Sequence, residues 1–176
     1  MMRDKLAPLP VSVTADTTAE ITAMPPKERQ SYSSVFAEVT VDPATGEVRV
    51  RRLLGMFAIG RVVNPLTARS QAVGGMIMGL SLALHEESVR EPSSGRHVNA
   101  DFAGYHISAH ADVPAVEADF VPDHEPDIAP GIKGVGEIGT AGTAAAIANA
   151  VWHATGRRQR DLPIRLDRVL EDQASQ

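Results

Sequence analysis

The most regular pattern in the chain is an alternation of apolar and polar positions that predicts two adjacent strands. It runs over residues 35–41 and resumes over residues 48–51, and the intervening residues 42–46 contain a proline and end in a glycine. Alternation with period two is typical of a strand that buries one face, and Pro and Gly favour a turn. We therefore predict a β-hairpin, whose second strand continues through an unbroken apolar run to Ile59, where both faces become buried.

A long helical pattern follows this hairpin. Asn64 is a good N-cap and Pro65 suits the first helical position, and apolar residues then recur with helical spacing from Leu66 to about Glu87. His85 lies near the predicted end, where the helix dipole favours a basic side chain. A helix is therefore predicted from residue 65 to about residue 87.

Glycines interrupt the middle of the predicted helix at Gly74, Gly75 and Gly79. Each interior glycine costs a helix about 1 kcal/mol relative to alanine. Gln71, Gly75 and Gly79 repeat every four residues, so that they share one side of the helix. We expect another group to approach the backbone closely on that side.

The second half of the chain alternates strand and helix signals, and the fold class is therefore α/β in the broad, α+β sense. Residues 115–121 alternate as a further strand, and a loop rich in Pro and Asp follows over residues 122–132. A helix is predicted over residues 144–154, with Gly156 at its C′ position, and a short helix ends near Leu170.

Order signals begin at about Ser33, which divides the chain into two parts. Residues 1–32 are predicted to be a loosely ordered lead-in, with at most an edge strand over residues 11–14. Residues 33–176 are predicted to form one ordered unit.

Composition excludes several classes of function. The chain has 176 residues, 43% of them hydrophobic, and a net charge of -5, which suits a folded domain with a small-molecule substrate better than nucleic-acid binding. It has no cysteine, so that it cannot hold an iron–sulfur cluster by itself. No segment approaches the roughly 20 apolar residues that span a bilayer, and we expect no membrane partner.

The segment with the most chemical information is the glycine-rich stretch of residues 131–142. It places Glu137 between closely spaced glycines and an Ala-rich helix, where a carboxylate can act as a proton acceptor or can simply stabilise the helix dipole. Residues 134–139 also match G-x-G-x-x-G, but a dinucleotide-binding motif follows a hydrophobic strand, and residues 124–130 are polar and contain two prolines. We therefore interpret the stretch as part of an active site and not as the dinucleotide-binding motif that follows a strand.

Several stretches of the chain resemble signatures of one enzyme family. They are residues 60–65 (GRVVNP), 70–80 (SQAVGGMIMGL), 84–87 (LHEE), 133–137 (KGVGE), 145–151 (AAIANAV) and 154–156 (ATG). In this order they resemble the C-terminal part of the large molybdenum-binding subunit of the xanthine dehydrogenase and aldehyde oxidase family. The resemblance implies that residues 33–176 are the C-terminal portion of a molybdopterin-binding domain. The tail over residues 160–164 (RDLPI) is similar to the bacterial aldehyde oxidoreductase branch.

The resemblance implies a molybdenum hydroxylase that oxidises aldehydes or xanthine-like heterocycles, with water as the oxygen source. Glu137 matches the general base of the family, and burial would suit that role by raising its pKa. Gln71 matches a glutamine that binds the cofactor, and Gly134, Val135 and Gly136 would bring backbone amides near it. The implied cofactor is molybdenum–molybdopterin, in its cytosine dinucleotide form, with no metal ligand from the protein itself.

The resemblance also implies partners. These are the remaining portion of the molybdenum subunit, an iron–sulfur subunit and an FAD subunit, so that the chain looks like a fragment or a separately encoded piece. We expect a cytoplasmic location, with export to the periplasm through a partner's signal as the alternative. The competing hypothesis for function is a non-catalytic structural or assembly module that needs a partner chain.

Overall fold

The computed structural model describes residues 12–24, 30–128 and 130–171. The helices and strands of these residues, in chain order, are α1 (Thr18–Ala23), β1 (Tyr32–Val41), β2 (Val48–Ala58), α2 (Pro65–Leu84), β3 (Ala115–Phe120), α3 (Ile138–Thr155) and α4 (Leu166–Glu171), with a 3-10 turn at His110–Asp112 between α2 and β3. The predicted α/β class is confirmed.

The three strands form one sheet in the order β1-β2-β3. β1 and β2 are antiparallel and form the predicted hairpin, with a bulge between Glu38 and Val39. β3 lies parallel to β2, from the pair Arg52 and Ala115 to the pair Phe57 and Phe120. A parallel neighbour needs a long crossover connection, and here this connection contains α2.

Helices α2 and α3 pack against each other and against the sheet. The largest side chains of the shared core, all fully buried, include Leu53, Phe57, Met76, Leu80, Ile147 and Val151. The expected close approach at the α2 glycines is confirmed, and the approaching group is α3: a Cβ at Gly75 would come within 2.9 Å of the Gly139 Cα. Gly79 faces Thr143 in the same way, at 2.6 Å.

The ends of α2 follow the prediction. The Asn64 side chain accepts hydrogen bonds from the backbone N–H groups of Leu66 and Thr67. His85 is the C-cap and donates its backbone N–H to the Ser81 carbonyl. The helix therefore ends at Leu84, three residues before the predicted end.

Helix α3 begins at Ile138 and not at residue 144 as predicted, although its C-cap, Gly156, has the expected left-handed conformation, with φ 74°. Gly139 lies inside the first turn, where a Cβ would come within 3.1 Å of the Gly75 Cα. Glycines that indicate a loop in the sequence are therefore used to bring two helices together. This long-range contact cannot be seen in the local pattern.

The lead-in also differs from its prediction. Ser12, Val13 and Thr14 form no strand, and Val11 lies outside the described residues. The short helix α1 follows, and the Asp16 carboxylate accepts the Thr18 backbone N–H at 2.9 Å. A hydrogen bond from the Thr18 side chain, and after it the one from the Thr18 backbone, lower the pKa of Asp16.

Within the described ranges, none of the helices combines the length and the hydropathy that crossing a bilayer requires.

Candidate cofactor-binding site

The stretch that leads into α3, residues 131–137, is called the glycine loop here. Its first part is tied to the end of β2: Arg61 donates its backbone N–H to the Gly131 carbonyl at 2.7 Å, and Lys133 donates to the Ile59 carbonyl at 2.9 Å. Gly131 has φ 69°, and a side chain there would collide with the His124 ring. Glycine is therefore required at this position to admit the loop against the 121–128 segment.

One ion pair fastens the side of the glycine loop. The Lys133 ammonium lies 2.9 Å from the Asp123 carboxylate, which also accepts the Gly60 backbone N–H at 2.9 Å. The hydrogen bond from Lys133, then that from Gly60, lowers the pKa of Asp123, and the bond to Asp123 raises the pKa of Lys133. Both groups are therefore charged at neutral pH.

Two further side chains hold the loop by its carbonyl groups. Gln71, on α2, donates its amide to the Gly136 carbonyl at 2.5 Å, and Ser31 donates its hydroxyl to the Gly134 carbonyl at 2.5 Å. The carbonyl groups of Gly134 and Gly136 are thus turned toward the rest of the chain. Gln71 and the glycine loop, both expected from the resemblance to bind the cofactor, are therefore in direct contact.

The backbone N–H groups at the end of the glycine loop, in residues 134–137, are unpaired in the described part of the chain. The backbone N–H groups of Gly134, Val135, Gly136 and Glu137 have no hydrogen-bond partner among the described residues. A Cβ at Gly134 or at Gly136 would meet nothing within 4 Å. The loop therefore presents a row of unpaired donors beside open space, which is the arrangement that a polar or anionic ligand needs at the start of a helix.

Glu137 lies at the end of this row. It is the N-cap residue of α3, but its side chain makes no capping hydrogen bond, and it is exposed. A capping role for the carboxylate is therefore not what the geometry supports. The burial expected from the sequence is not supplied by the described residues either, so that the shielding of this carboxylate would have to come from a ligand or a partner.

The five predicted site residues, Gln71, Gly134, Val135, Gly136 and Glu137, thus lie in one place. Val135 is half-buried against the core, so that only its backbone can face a ligand. Gly134 and Gly136 do not have positive φ, which leaves open space as the feature that a glycine provides there.

Sequence reasoning missed Asp123 and Ser31 as parts of the site. The sequence has one cation in residues 131–137, Lys133, but the loop after β3 offers Asp123, Glu125 and Asp127 as possible partners. The fold selects Asp123, because it places this carboxylate within reach of both Lys133 and the Gly60 backbone N–H.

Two further observations on the described residues concern a dinucleotide-binding motif and a metal centre. No strand directly precedes residues 134–139, since β3 ends at Phe120. The part of the chain that the structure describes contains no group of three or more His, Cys, Asp and Glu side chains that could hold a metal ion.

Comparison with known families decides the classification. Residues 8–114 match the model of the molybdopterin cofactor-binding domain. The chain belongs to this family. The match begins inside the lead-in and includes Gln71, and the predicted resemblance is confirmed.

Two relatives extend the likeness across the glycine loop. The chain is 48% identical over 161 residues to the aldehyde oxidoreductase molybdenum-binding subunit PaoC of Escherichia coli strain K12. The match covers 90% of this chain and 22% of the relative. It is 36% identical over 160 residues to the putative xanthine dehydrogenase molybdenum-binding subunit XdhA of the same strain, covering 91% of this chain and 21% of that relative. The chain spans about a fifth of the length of these relatives.

The fold is similar to that of a solved aldehyde oxidoreductase. The structure matches the aldehyde oxidoreductase from Desulfovibrio gigas with a TM-score of 0.72 and 34% identity, over 80% of this chain and 15% of that one. The molybdopterin-binding class of fold is therefore common to both.

The residues of the site suit such a cofactor. A pterin with its phosphate carries hydrogen-bond acceptors and negative charge, and unpaired N–H groups next to a helix start are the donors that such a group needs. The open space at Gly134 and Gly136 lets it approach the backbone.

Proposed function

We propose that the chain is part of a molybdenum hydroxylase that oxidises aldehydes, or xanthine-like heterocycles, with oxygen from water. The proposal rests on one observation above the others, the hydrogen bond from the Gln71 amide to the Gly136 carbonyl. This contact joins two of the stretches that carry the family resemblance, and it lies beside the unpaired backbone N–H groups of residues 134–137. The higher identity to an aldehyde oxidoreductase subunit than to a xanthine dehydrogenase subunit favours aldehydes.

The cofactor would be molybdenum–molybdopterin, in the cytosine dinucleotide form. When bound, it would supply the redox centre and the site at which oxygen from water is activated. The backbone N–H groups of Gly134, Val135 and Gly136 would bind its acceptor atoms. The Gln71 amide has a second N–H and an acceptor oxygen beyond the bond to Gly136, so that it would bind the cofactor with these.

Glu137 would be the general base. Its carboxylate is exposed and uncommitted to the helix cap, and a carboxylate in this state can accept a proton at an Oε atom. Cofactor and substrate would exclude water from it, so that the carboxylate and not the solvent would receive the proton. The carboxylate would hold this proton until product leaves.

Electrons would have to leave through other proteins. The chain has no cysteine, and iron–sulfur clusters are held by cysteine thiolates. We assign the clusters to an iron–sulfur subunit and the flavin to an FAD subunit. The remainder of the molybdenum-binding subunit, which the relatives carry outside the matched stretch, would cover the exposed Glu137.

A non-catalytic assembly module is the second candidate, and the exposure of Glu137 favours it. Glu137 is open to solvent in this chain, whereas the proposed base would work at a buried centre. Tyr32 and Phe36 on β1 are also exposed, to 63% and 60% of their surface. Such surfaces fit a chain whose contribution is to complete a partner.

The two candidates are separated by whether a complex that contains molybdenum turns over a substrate. The tagged chain is isolated, together with whatever it binds, from a host that makes molybdopterin, and is assayed with benzaldehyde, xanthine and an artificial electron acceptor. We expect molybdenum near one per chain and turnover of the aldehyde. Molybdenum without turnover of either substrate would support the assembly module, and a ratio near zero would contradict both.

A further inference from the structure

We propose that the ion pair of Asp123 and Lys133 fixes the conformation of the glycine loop, so that both are positioning residues for Glu137. The assignment of a role to Glu137 rests on the proposed function. The mechanical part, that the pair holds the loop, rests on contacts within this chain alone. The two parts can therefore be tested separately.

The pair is the most protected of its kind. The side chains of Lys133 and Asp123 are 13% and 20% exposed, whereas those of the other ion pairs among the described residues are 38% exposed or more. Exposed pairs contribute little to a structure because water screens them. A pair with this degree of protection holds its geometry more strongly.

Its place in the chain gives the pair leverage on the site. Lys133 lies four residues before Glu137. Among the described residues, the backbone between them is held by the bonds from Ser31 and Gln71 to carbonyl groups and by the packing of Val135 against the core. On the other side, Asp123 lies just after β3 and is bonded to Gly60, just after β2. The pair therefore connects the loop to the ends of two neighbouring strands.

Besides accepting the backbone N–H of the adjacent His124 at its Oδ1 atom, 2.9 Å away, Asp123 has two separable duties toward other segments. It accepts the Gly60 backbone N–H, for which a neutral amide oxygen would serve, and it pairs with the Lys133 charge, for which only a carboxylate serves. Asp123→Asn and Lys133→Met therefore remove the same ion pair while keeping an acceptor for Gly60. Asp123→Ala removes both.

The first test is hydrogen exchange on the full chain, resolved to the backbone amides of Gly60, Arg61 and Lys133. In the native protein these amides donate hydrogen bonds to Asp123, Gly131 and Ile59, respectively. These three bonds and the Asp123–Lys133 ion pair are called the tether here. We expect Asp123→Asn and Lys133→Met each to speed exchange of Arg61 and Lys133 by about threefold or more. The double variant should exchange no faster than either single variant, because both remove one interaction.

The control is Glu117→Gln, which breaks the exposed pair with Arg52, 2.8 Å apart on the sheet. It should leave the exchange of the tether amides unchanged, and amides in the core of α3 should stay protected in every variant. Asp123→Ala should speed exchange at Gly60 as well. If Asp123→Ala does not fold, the two ion-pair variants decide the question. Unchanged exchange in both of them, or effects that add in the double variant, would overturn the proposal.

The second test uses the molybdenum-loaded complex. A positioning role predicts that Lys133→Met lowers kcat severalfold while KM and molybdenum content stay within about twofold, and that Lys133→Arg restores most of the loss. Faster exchange without any change of kcat would overturn the positioning role. If Glu137→Gln also leaves kcat unchanged, the proposed function fails, and the exchange data still stand as a test of the tether.

Discussion

Gly136 shows how one residue can be ordinary for the fold and special for the site. Its φ is not positive, and a Cβ there would meet nothing within 4 Å, so that the described chain itself does not require glycine at this position. The sequence indicates a site at this position through the closely spaced glycines around Glu137. It does not reveal that the reason is open space and not a special backbone conformation.

Gly136→Ala tests whether a ligand uses that space. We expect an unchanged or slightly raised melting temperature, because alanine restricts the unfolded chain and meets no obstacle here. In the loaded complex the same change should lower the molybdenum content, since the added methyl group occupies the approach to the backbone donors. Thermal melting and metal analysis of one preparation measure both effects, and full molybdenum content would show that the cofactor does not approach the loop here.

The charge state of the Asp123–Lys133 pair sets a pH dependence of stability. The lowered pKa of Asp123 means that its contribution is present above 3.8, its ordinary value, and is lost as pH falls through the lowered value. The raised pKa of Lys133 means that its contribution is present below 10.5 and is lost as pH rises through the raised value. The pair therefore stabilises the chain over the whole window between these two ordinary values.

Urea unfolding of the native chain and of Lys133→Met, from about pH 2.5 to about pH 9, checks this window. The native chain should be the more stable of the two by a constant amount from pH 5 upward, roughly, and the difference should shrink in acid as Asp123 takes up its proton. A difference that is the same at every pH would mean that Lys133 stabilises the loop by packing and not by charge.

At the scale of elements, the contact between α2 and α3 carries the site. It places Gln71, near the start of α2, beside the segment that leads into α3. The hairpin, the N-cap of α2 and the C-cap of α3 are predictable from the sequence because each depends on neighbouring residues. The start of α3 is not, since Gly139 packs against Gly75 on the other helix, and this contact leaves no signal in the local pattern.

Two adjacent glycines of α2 give a matched pair of variants. Gly75→Ala should lower the free energy of unfolding by about 1–3 kcal/mol, because its Cβ would press on the Gly139 backbone. Gly74→Ala should raise it by roughly 0.5–1 kcal/mol, because Gly74 faces open space and alanine favours the helix. Chemical denaturation of both variants measures the difference, and equal effects would contradict the packing described here.

At the scale of the whole molecule, the described chain presents a site that is only partly enclosed. Gln71 and the glycine loop converge, whereas Glu137 stays exposed and the chain spans about a fifth of the length of its relatives. The family is recognisable from short stretches of sequence because they contain the residues of the site. The contacts of Asp123 with Gly60 and Lys133 are not, because these residues lie in different segments without periodic pattern and meet only in the fold.

The assembled complex with Glu137→Gln is the most direct test of the central claim, that this loop supplies the base of a molybdenum hydroxylase. Glutamine keeps the size of the side chain and removes its ability to accept a proton. We expect the molybdenum content of the native complex and a loss of aldehyde turnover of about a hundredfold or more, the usual range for a general base. Turnover at the native rate, with molybdenum in place, would contradict the account.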